Sequence, residues 1–206
     1  MNGKLYRYDS GQVCVPDPNK PPPTDCPVLL DLDGHGFHLT GLDDPVRFDL
    51  DADGVAEELG WTAPGVRNGF LCMDRNHDGT IDDGRELFGQ VTPLADGQPA
   101  KIGYVALAQL DLPERGGNGD GVVGPEDAGF RDLRVWVDAN HDGVSQPGEI
   151  LTLPQAGIVR LAYDYVETRR QDQYGNLFRY QSRAWVRNPA GQVRESSTYD
   201  VFFVHR

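Results

Sequence analysis

The chain has 206 residues and carries 32 acidic against 19 basic side chains, a net charge of −13 with an isoelectric point of about 4.6. That balance excludes a nucleic-acid partner, because phosphate binding needs clustered lysine and arginine. No run approaches the roughly 18 apolar residues of a membrane span, and MNGKLYRYDS lacks an apolar stretch, so no signal peptide is expected at this start.

A hydrophobic content of 38% and a mean hydropathy of −0.51 allow one domain with a lean core. The 25 glycines and 15 prolines predict many turns and short helices. Residues 1–26 read as an extension. In it LYRY suggests a short strand and NKPPPTD a stiff polyproline-like linker. Cys14 and Cys26 bracket that linker and are expected to form a disulfide, which implies an oxidising compartment. Cys72, in GFLCM, reads as a buried thiol.

The body begins at Pro27. Between residues 27 and 100, three Asp-rich clusters alternate with short apolar runs. KIGYVALAQL (101–110) predicts a helix with Tyr104, Leu107 and Ala108 on one face. PEDAGFRDL (125–133) predicts a second, opened by Pro125. TLPQAG (152–157) predicts a third, with Thr152 as N-cap and Gly157 closing it. The period then changes to two. Val159, Leu161, Tyr163 and Tyr165 share a face, as do Phe178, Tyr180, Ser182, Ala184 and Val186, and DVFFV (200–204) suggests a last strand. Residues 158–206 are therefore expected to form an antiparallel meander packed on residues 27–157 as one structural unit. The expected fold class is α+β, with short helices around the Asp-rich loops.

The recurring unit is Asp-x-(Asp/Asn)-x-(Asp/Asn)-Gly. A twelve-residue calcium loop draws oxygen ligands from positions 1, 3, 5, 7 (a backbone carbonyl), 9 and 12, and needs glycine at position 6. DANHDGVSQPGE meets the template throughout, with Asp138, Asn140, Asp142, the Val144 carbonyl, Gln146 and Glu149, and with Gly143 at position 6. DRNHDGTIDDGRE offers Asp74, Asn76, Asp78, the Thr80 carbonyl and Asp82, and its last carboxylate, Glu86, arrives one residue late because Gly84 reads as an insertion. A stretched version offers Asp111, Asn118, Asp120, the Val122 carbonyl and Asp127. DLDADGVAEE gives Asp49, Asp51, Asp53 and the Val55 carbonyl, and needs Glu57, Glu58 or a more distant carboxylate to complete it. DLDGHGF offers Asp31 and Asp33 but has His35 at position 5, a poor calcium ligand. Its aspartates could instead serve the Asp49 site.

Other chemistries fit less well. Asp31 and Asp33 could be nucleophile and acid/base of a haloacid-dehalogenase-type phosphatase, but only Lys4, Lys20 and Lys101 are present and βα alternation is absent. No HxxxH or HExxH spacing supports zinc.

PVLLDLDGHGF, FDLDADGVAEELGW, GFLCMDRNHDGTIDDGRELFG, GYVALAQLD and FRDLRVWVDANHDGVSQPGEILTLPQAGI together resemble the calcium-binding region of bacterial RTX-type exoproteins. Within that group they are similar to the self-processing module of FrpC-type iron-regulated proteins, over about residues 27–165. The resemblance implies a secreted or cell-surface domain that folds on meeting calcium. From the loops themselves three to five Ca²⁺ ions and a non-catalytic module are expected, with calcium-dependent self-processing as the alternative. A monomer is expected, and no protein partner is indicated. In the self-processing members an Asp precedes the first proline of the module. Its carboxylate attacks its own main-chain carbonyl, forms a cyclic anhydride and expels the proline nitrogen. Here Cys26 stands in that place before Pro27, so an inactive junction is expected.

Overall fold

The computed structural model describes residues 26–206 and, ahead of them, two short antiparallel strands, β1 (Arg7–Tyr8) and β2 (Cys14–Val15). The Cys14 side chain, and with it the expected Cys14–Cys26 bridge, lies outside what is described. Among the described residues there is no disulfide, and Cys26 and Cys72 are both buried.

The remaining strands are β3 (Val28–Asp31), β4 (Val46–Phe48), β5 (Glu57–Leu59), β6 (Asn68–Cys72), β7 (Val122–Val123), β8 (Arg134–Trp136), β9 (Ile150–Thr152), β10 (Ile158–Ala162), β11 (Val166–Gln171), β12 (Leu177–Arg187) and β13 (Val193–Phe202). Nine of them form one antiparallel sheet in the order β7-β10-β12-β13-β3-β6-β8-β9, with β11 also pairing β12. β4 and β5 pair separately. β13 returns from the end of the chain to pair with β3 at its beginning, Tyr199 opposite Leu29.

This corrects the α+β expectation. The protein is mostly β. Among the described residues there is one α-helix, α1 (Gly103–Ala108), and three short 3-10 turns. The apolar runs beside the loops, VLLD, NGFLC and RVW, are three to five residues long. A run that short cannot close two helical turns, but it fills a strand, and its backbone groups find partners across the sheet. The flanks that would be helices in a helix–loop–helix unit are therefore strands.

The other expected helices shrink for local reasons. PEDAGFRDL yields only the 3-10 turn Ala128–Arg131. In TLPQAG, Thr152 ends β9 and a single turn follows. The Gln155 side chain accepts the Thr152 N–H at 2.8 Å, and the Thr152 hydroxyl accepts the Gln155 N–H at 3.3 Å. Gly157, at φ 81°, closes the turn in the left-handed region where glycine is unstrained. By contrast α1 forms where expected, burying Tyr104 and Leu107. The alternation of Phe178, Ser182, Ala184 and Val186 is buried as its period predicted.

The sheet separates two apolar clusters. Val28, Leu30, Leu71 and Val135 face one, capped by Tyr104 and Leu107 of α1; Leu29, Phe70, Cys72 and Trp136 face the other. Strands β3 and β6 are thus buried on both faces, which is why they read as continuous apolar runs. The second cluster is aromatic. The Trp61 ring lies 4.3 Å from that of Phe70 and 5.6 Å from that of Trp136. Trp61, Phe48, Leu50 and Ile81 reach it from the Asp-rich segments, so those loops are anchored in the core.

Candidate metal centres

The five Asp-rich clusters share one backbone. In each, the position-6 glycine donates its N–H to the position-1 carboxylate: Gly36 to Asp31, Gly54 to Asp49 and Gly79 to Asp74 at 3.0 Å, Gly121 to Asp111 and Gly143 to Asp138 at 2.9 Å. Those glycines all have positive φ. Position 4 is left-handed as well, in Gly34, Ala52, His77, Gly119 and His141. For Ala52, His77 and His141 that conformation costs roughly 1 kcal/mol or more each. Two unrelated residue types, alanine and histidine, adopt it at the same place because the loop turns there, not because they favour it. The position-5 carboxylates accept the position-7 N–H groups: Val55 to Asp53 at 2.8 Å, Thr80 to Asp78 and Val144 to Asp142 at 2.9 Å, Val122 to Asp120 at 3.1 Å.

Four of these segments start where a strand ends. Asp31 closes β3, Asp49 follows β4, and Asp74 and Asp138 come one residue beyond Met73 and Val137, just after β6 and β8. The stretched loop starts from the 3-10 turn Gln109–Asp111. Its insertion folds under itself: Gly119 donates to Asp111 at 2.8 Å, and a side chain at Gly117 would strike the Asp111 backbone.

Of the last carboxylates, Glu86 and Asp127 are buried and Glu149 is half-buried. Glu86 accepts the N–H groups of Arg75 at 3.0 Å and Asp82 at 2.9 Å. Glu149 accepts that of Ala139 at 2.9 Å. Asp127 accepts those of Asn118 at 3.0 Å and Gly124 at 2.7 Å. Glu86, Asp111, Asp127 and Asp138 are all nearly inaccessible, and among the described residues none forms an ion pair. Burial pushes the Glu86 carboxyl above its ordinary range. Asp111 is lowered instead: burial opposes this, but the Gly121 N–H, the Tyr163 hydroxyl at 2.8 Å and the Gly119 N–H outweigh it. Asp138 also takes a hydrogen bond from the indole N–H of Trp61 at 2.8 Å.

Two loops test most directly for a cation. At the Asp49 loop, oxygens of Asp49, Asp51, Asp53 and Glu57 all lie within 4.8 Å of one another. Glu57, rather than Glu58, is therefore the carboxylate the fold brings to this cluster, and burial followed by repulsion from Asp51 and Asp49 raises it. At the Asp74 loop, Oδ1 of Asp74 is buried with no hydrogen-bond partner. A buried carboxylate oxygen without donor or counter-charge fits a hard divalent ion bound through oxygens.

The Asp31 segment differs. His35 pairs with Asp33 at 3.1 Å. Asp33 is lowered: burial works against the shift, and the His35 N–H, charge and ring together overcome it. The Arg194 guanidinium rests on Gly34, 2.7 Å from where a Cβ would lie. This loop thus has a side chain packed over its turn, although neither aspartate forms an ion pair with Arg194. Asp31 and Asp33 do not join the Asp49 cluster, whose members are given above.

The Cys26–Pro27 junction is also fixed in place. The Pro27 carbonyl accepts the Val201 N–H at 3.0 Å, and the Cys26 carbonyl packs on Gly89, where a side chain would come within 2.4 Å. The Cys26 thiol hydrogen-bonds the buried Asp200 carboxyl, which also accepts the Gly103 N–H at 2.9 Å. Residue spacing did not point to Asp200, which lies on β13. The antiparallel sheet also rules out the doubly wound layout a dehalogenase-type phosphatase needs.

The family model described as the SPM domain matches residues 28–204. The iron-regulated protein FrpA of Neisseria meningitidis serogroup C is 41% identical over 157 residues, which cover 75% of this chain and 14% of that protein. The chain thus spans a small part of that relative's length. It belongs to the SPM domain family.

Proposed function

We propose that this chain is a calcium-binding, calcium-folded, non-catalytic module of a secreted or cell-surface bacterial protein. The observation that carries the reading is the buried, unpartnered Oδ1 of Asp74 inside a loop whose backbone recurs at Asp49, Asp111 and Asp138. Calcium takes six to eight oxygens at about 2.3–2.6 Å, and the sequence of these loops offers carboxylate, amide and carbonyl oxygens at the matching positions. The Asp138 loop would contribute Asp138, Asn140, Asp142, the Val144 carbonyl and Glu149. The Asp74 loop would use Asp74, Asn76, Asp78, the Thr80 carbonyl and Glu86. Because the loops carry core residues, binding free energy becomes folding free energy. Native mass spectrometry with and without chelator counts the ions, and thermal melts in calcium, magnesium and EGTA read the coupling. Calcium is expected to raise the melting temperature sharply and magnesium to substitute poorly. Equal melting in calcium and EGTA refutes the proposal.

A second reading is favoured by the buried Asp200 beside the Cys26–Pro27 junction: the module retains the frame of a calcium-dependent self-processing site in which Cys26 replaces the usual Asp. Incubation in millimolar calcium followed by intact-mass measurement separates the two. The wild-type chain is expected to stay whole and Cys26→Asp to release a fragment beginning at Pro27. A wild-type fragment beginning at Pro27 makes the module an autoprotease.

A further inference from the structure

Position 8 of the Asp74 loop is Ile81, and position 8 of the Asp138 loop is Ser145. The Ser145 hydroxyl joins them. It accepts the Ile81 N–H at 2.7 Å and donates to the Ile81 carbonyl at 3.2 Å. Ser145 is 5% exposed and Ile81 2%, so water does not compete for these bonds. The N–H being held belongs to the peptide group between Thr80 and Ile81. In a planar trans peptide the carbonyl points away from the N–H. Fixing the Ile81 N–H therefore aims the Thr80 carbonyl, the position-7 oxygen, to the opposite side. Ser145 in turn shares a peptide group with Val144, whose carbonyl holds position 7 in the other loop.

One hydroxyl thus ties the ligand-bearing peptide of one loop to the residue that follows the equivalent peptide of the other. A cation drawing on the Thr80 carbonyl polarises the attached N–H and strengthens its bond to Ser145. The Asp49 loop is connected differently, through Gly84 donating to the Asp49 carbonyl at 2.9 Å, so it does not depend on Ser145.

We propose that Ser145 is a positioning residue that couples the Asp74 and Asp138 loops, so that a divalent cation in either raises the affinity of the other. This rests on the calcium reading above. The test uses the full chain and calcium alone, by titration calorimetry. Wild type, Ser145→Ala and Ser145→Thr are each measured with and without Asp78→Asn, which weakens the Asp74 loop. The site to follow is the one lost on Glu149→Gln.

In wild type and in Ser145→Thr, which keeps the hydroxyl, Asp78→Asn is expected to weaken that site about 10-fold. In Ser145→Ala the same change is expected to weaken it less than about 2-fold. A second measurement needs no change at Ser145. Glu149→Gln in calcium is expected to speed hydrogen exchange at the Ile81 amide about 10-fold or more. An equal effect of Asp78→Asn with and without the hydroxyl, or unchanged Ile81 exchange, overturns the coupling while leaving calcium binding intact. A wild-type chain that takes up no calcium overturns both.

Discussion

Asp200 offers a stability test that is independent of the metal loops. It sits on β13 with no exposed surface, and one of its oxygens is buried without a hydrogen-bond partner. Burial raises its pKa from 3.8 to about 7, against the opposing hydrogen bonds from Cys26 and Gly103. In the unfolded chain the carboxyl loses its proton near 3.8, whereas in the folded chain it keeps the proton up to about 7. Between those values the folded state binds more protons, so stability falls as pH rises. Below 3.8 the stability is fully present, and by the time pH has passed about 7 the loss is complete. A difference of about three pKa units corresponds to about 4 kcal/mol in all. Asp200→Asn keeps an oxygen for the Gly103 N–H and abolishes the titration. The variant is therefore expected to gain about 2.5 kcal/mol relative to wild type between about pH 5 and about pH 8. Urea unfolding of both proteins in saturating calcium, across that range, measures it. Any fixed cost of the new amide group drops out of the pH difference, as does the titration of the loops common to both chains. A stability difference that stays flat across the range would falsify the assignment of a proton-bearing Asp200.

Three further outcomes follow from the loops. Glu149→Gln is expected to weaken calcium binding far more than Asp31→Asn, because Glu149 stands at the last position of the loop that meets the template throughout and accepts the Ala139 N–H, while the Asp31 segment has His35 and Arg194 beside it; calorimetry showing equal losses overturns that ranking. Gly84→Ala would bring a Cβ within 1.8 Å of the Leu50 carbonyl, and since backbone cannot yield cheaply, a loss of about 2–4 kcal/mol is expected in urea unfolding. Trp61→Phe removes the indole N–H that Asp138 accepts at 2.8 Å, with an expected loss of about 2–4 kcal/mol, part of it from lost packing; a chain as stable as wild type means that this bond is not a support of the Asp138 loop.

The loops were legible in sequence because their chemistry is local. Glycine at position 6, carboxylates two apart and the late Glu86 could all be counted, and the structure gives each the same turn. The long alternation from Phe178 to Val186 was legible too, since one face of β12 meets core and the other meets solvent. The strands at the centre of the sheet were not. Val28–Asp31 and Asn68–Cys72 are buried on both faces, so they lose the period that separates strand from helix. Contacts across the fold left no trace in spacing. Trp61 lies 77 residues from Asp138, and Tyr163, readable only as one residue of a strand face, donates to Asp111 from 52 residues away. Glu57 was one of two adjacent candidates, and the choice between them depended on the register of β4 with β5.

The distribution of charge explains why these loops and the sheet form one object. Residues 27–157 hold 24 acidic against 8 basic side chains, while residues 158–206 hold 5 against 8. The arginines of the C-terminal strands do not offset the loops. Arg179 pairs with Glu167, Arg183 with Asp164 and Arg206 with Glu58, none of them at a ligand position. Backbone N–H groups satisfy part of each carboxylate, but dipoles do not cancel a net charge, and the buried Asp111, Asp127 and Asp138 have no lysine or arginine within reach. The same segments place Phe48, Leu50, Ile81 and Val123 in the core. Repulsion that opens a loop therefore withdraws apolar side chains from the sheet, and a cation that closes the loop returns them. Stability and ion occupancy are expected to rise together, most steeply at the Asp74 and Asp138 loops, where Ile81 and Ser145 meet beneath the second apolar cluster.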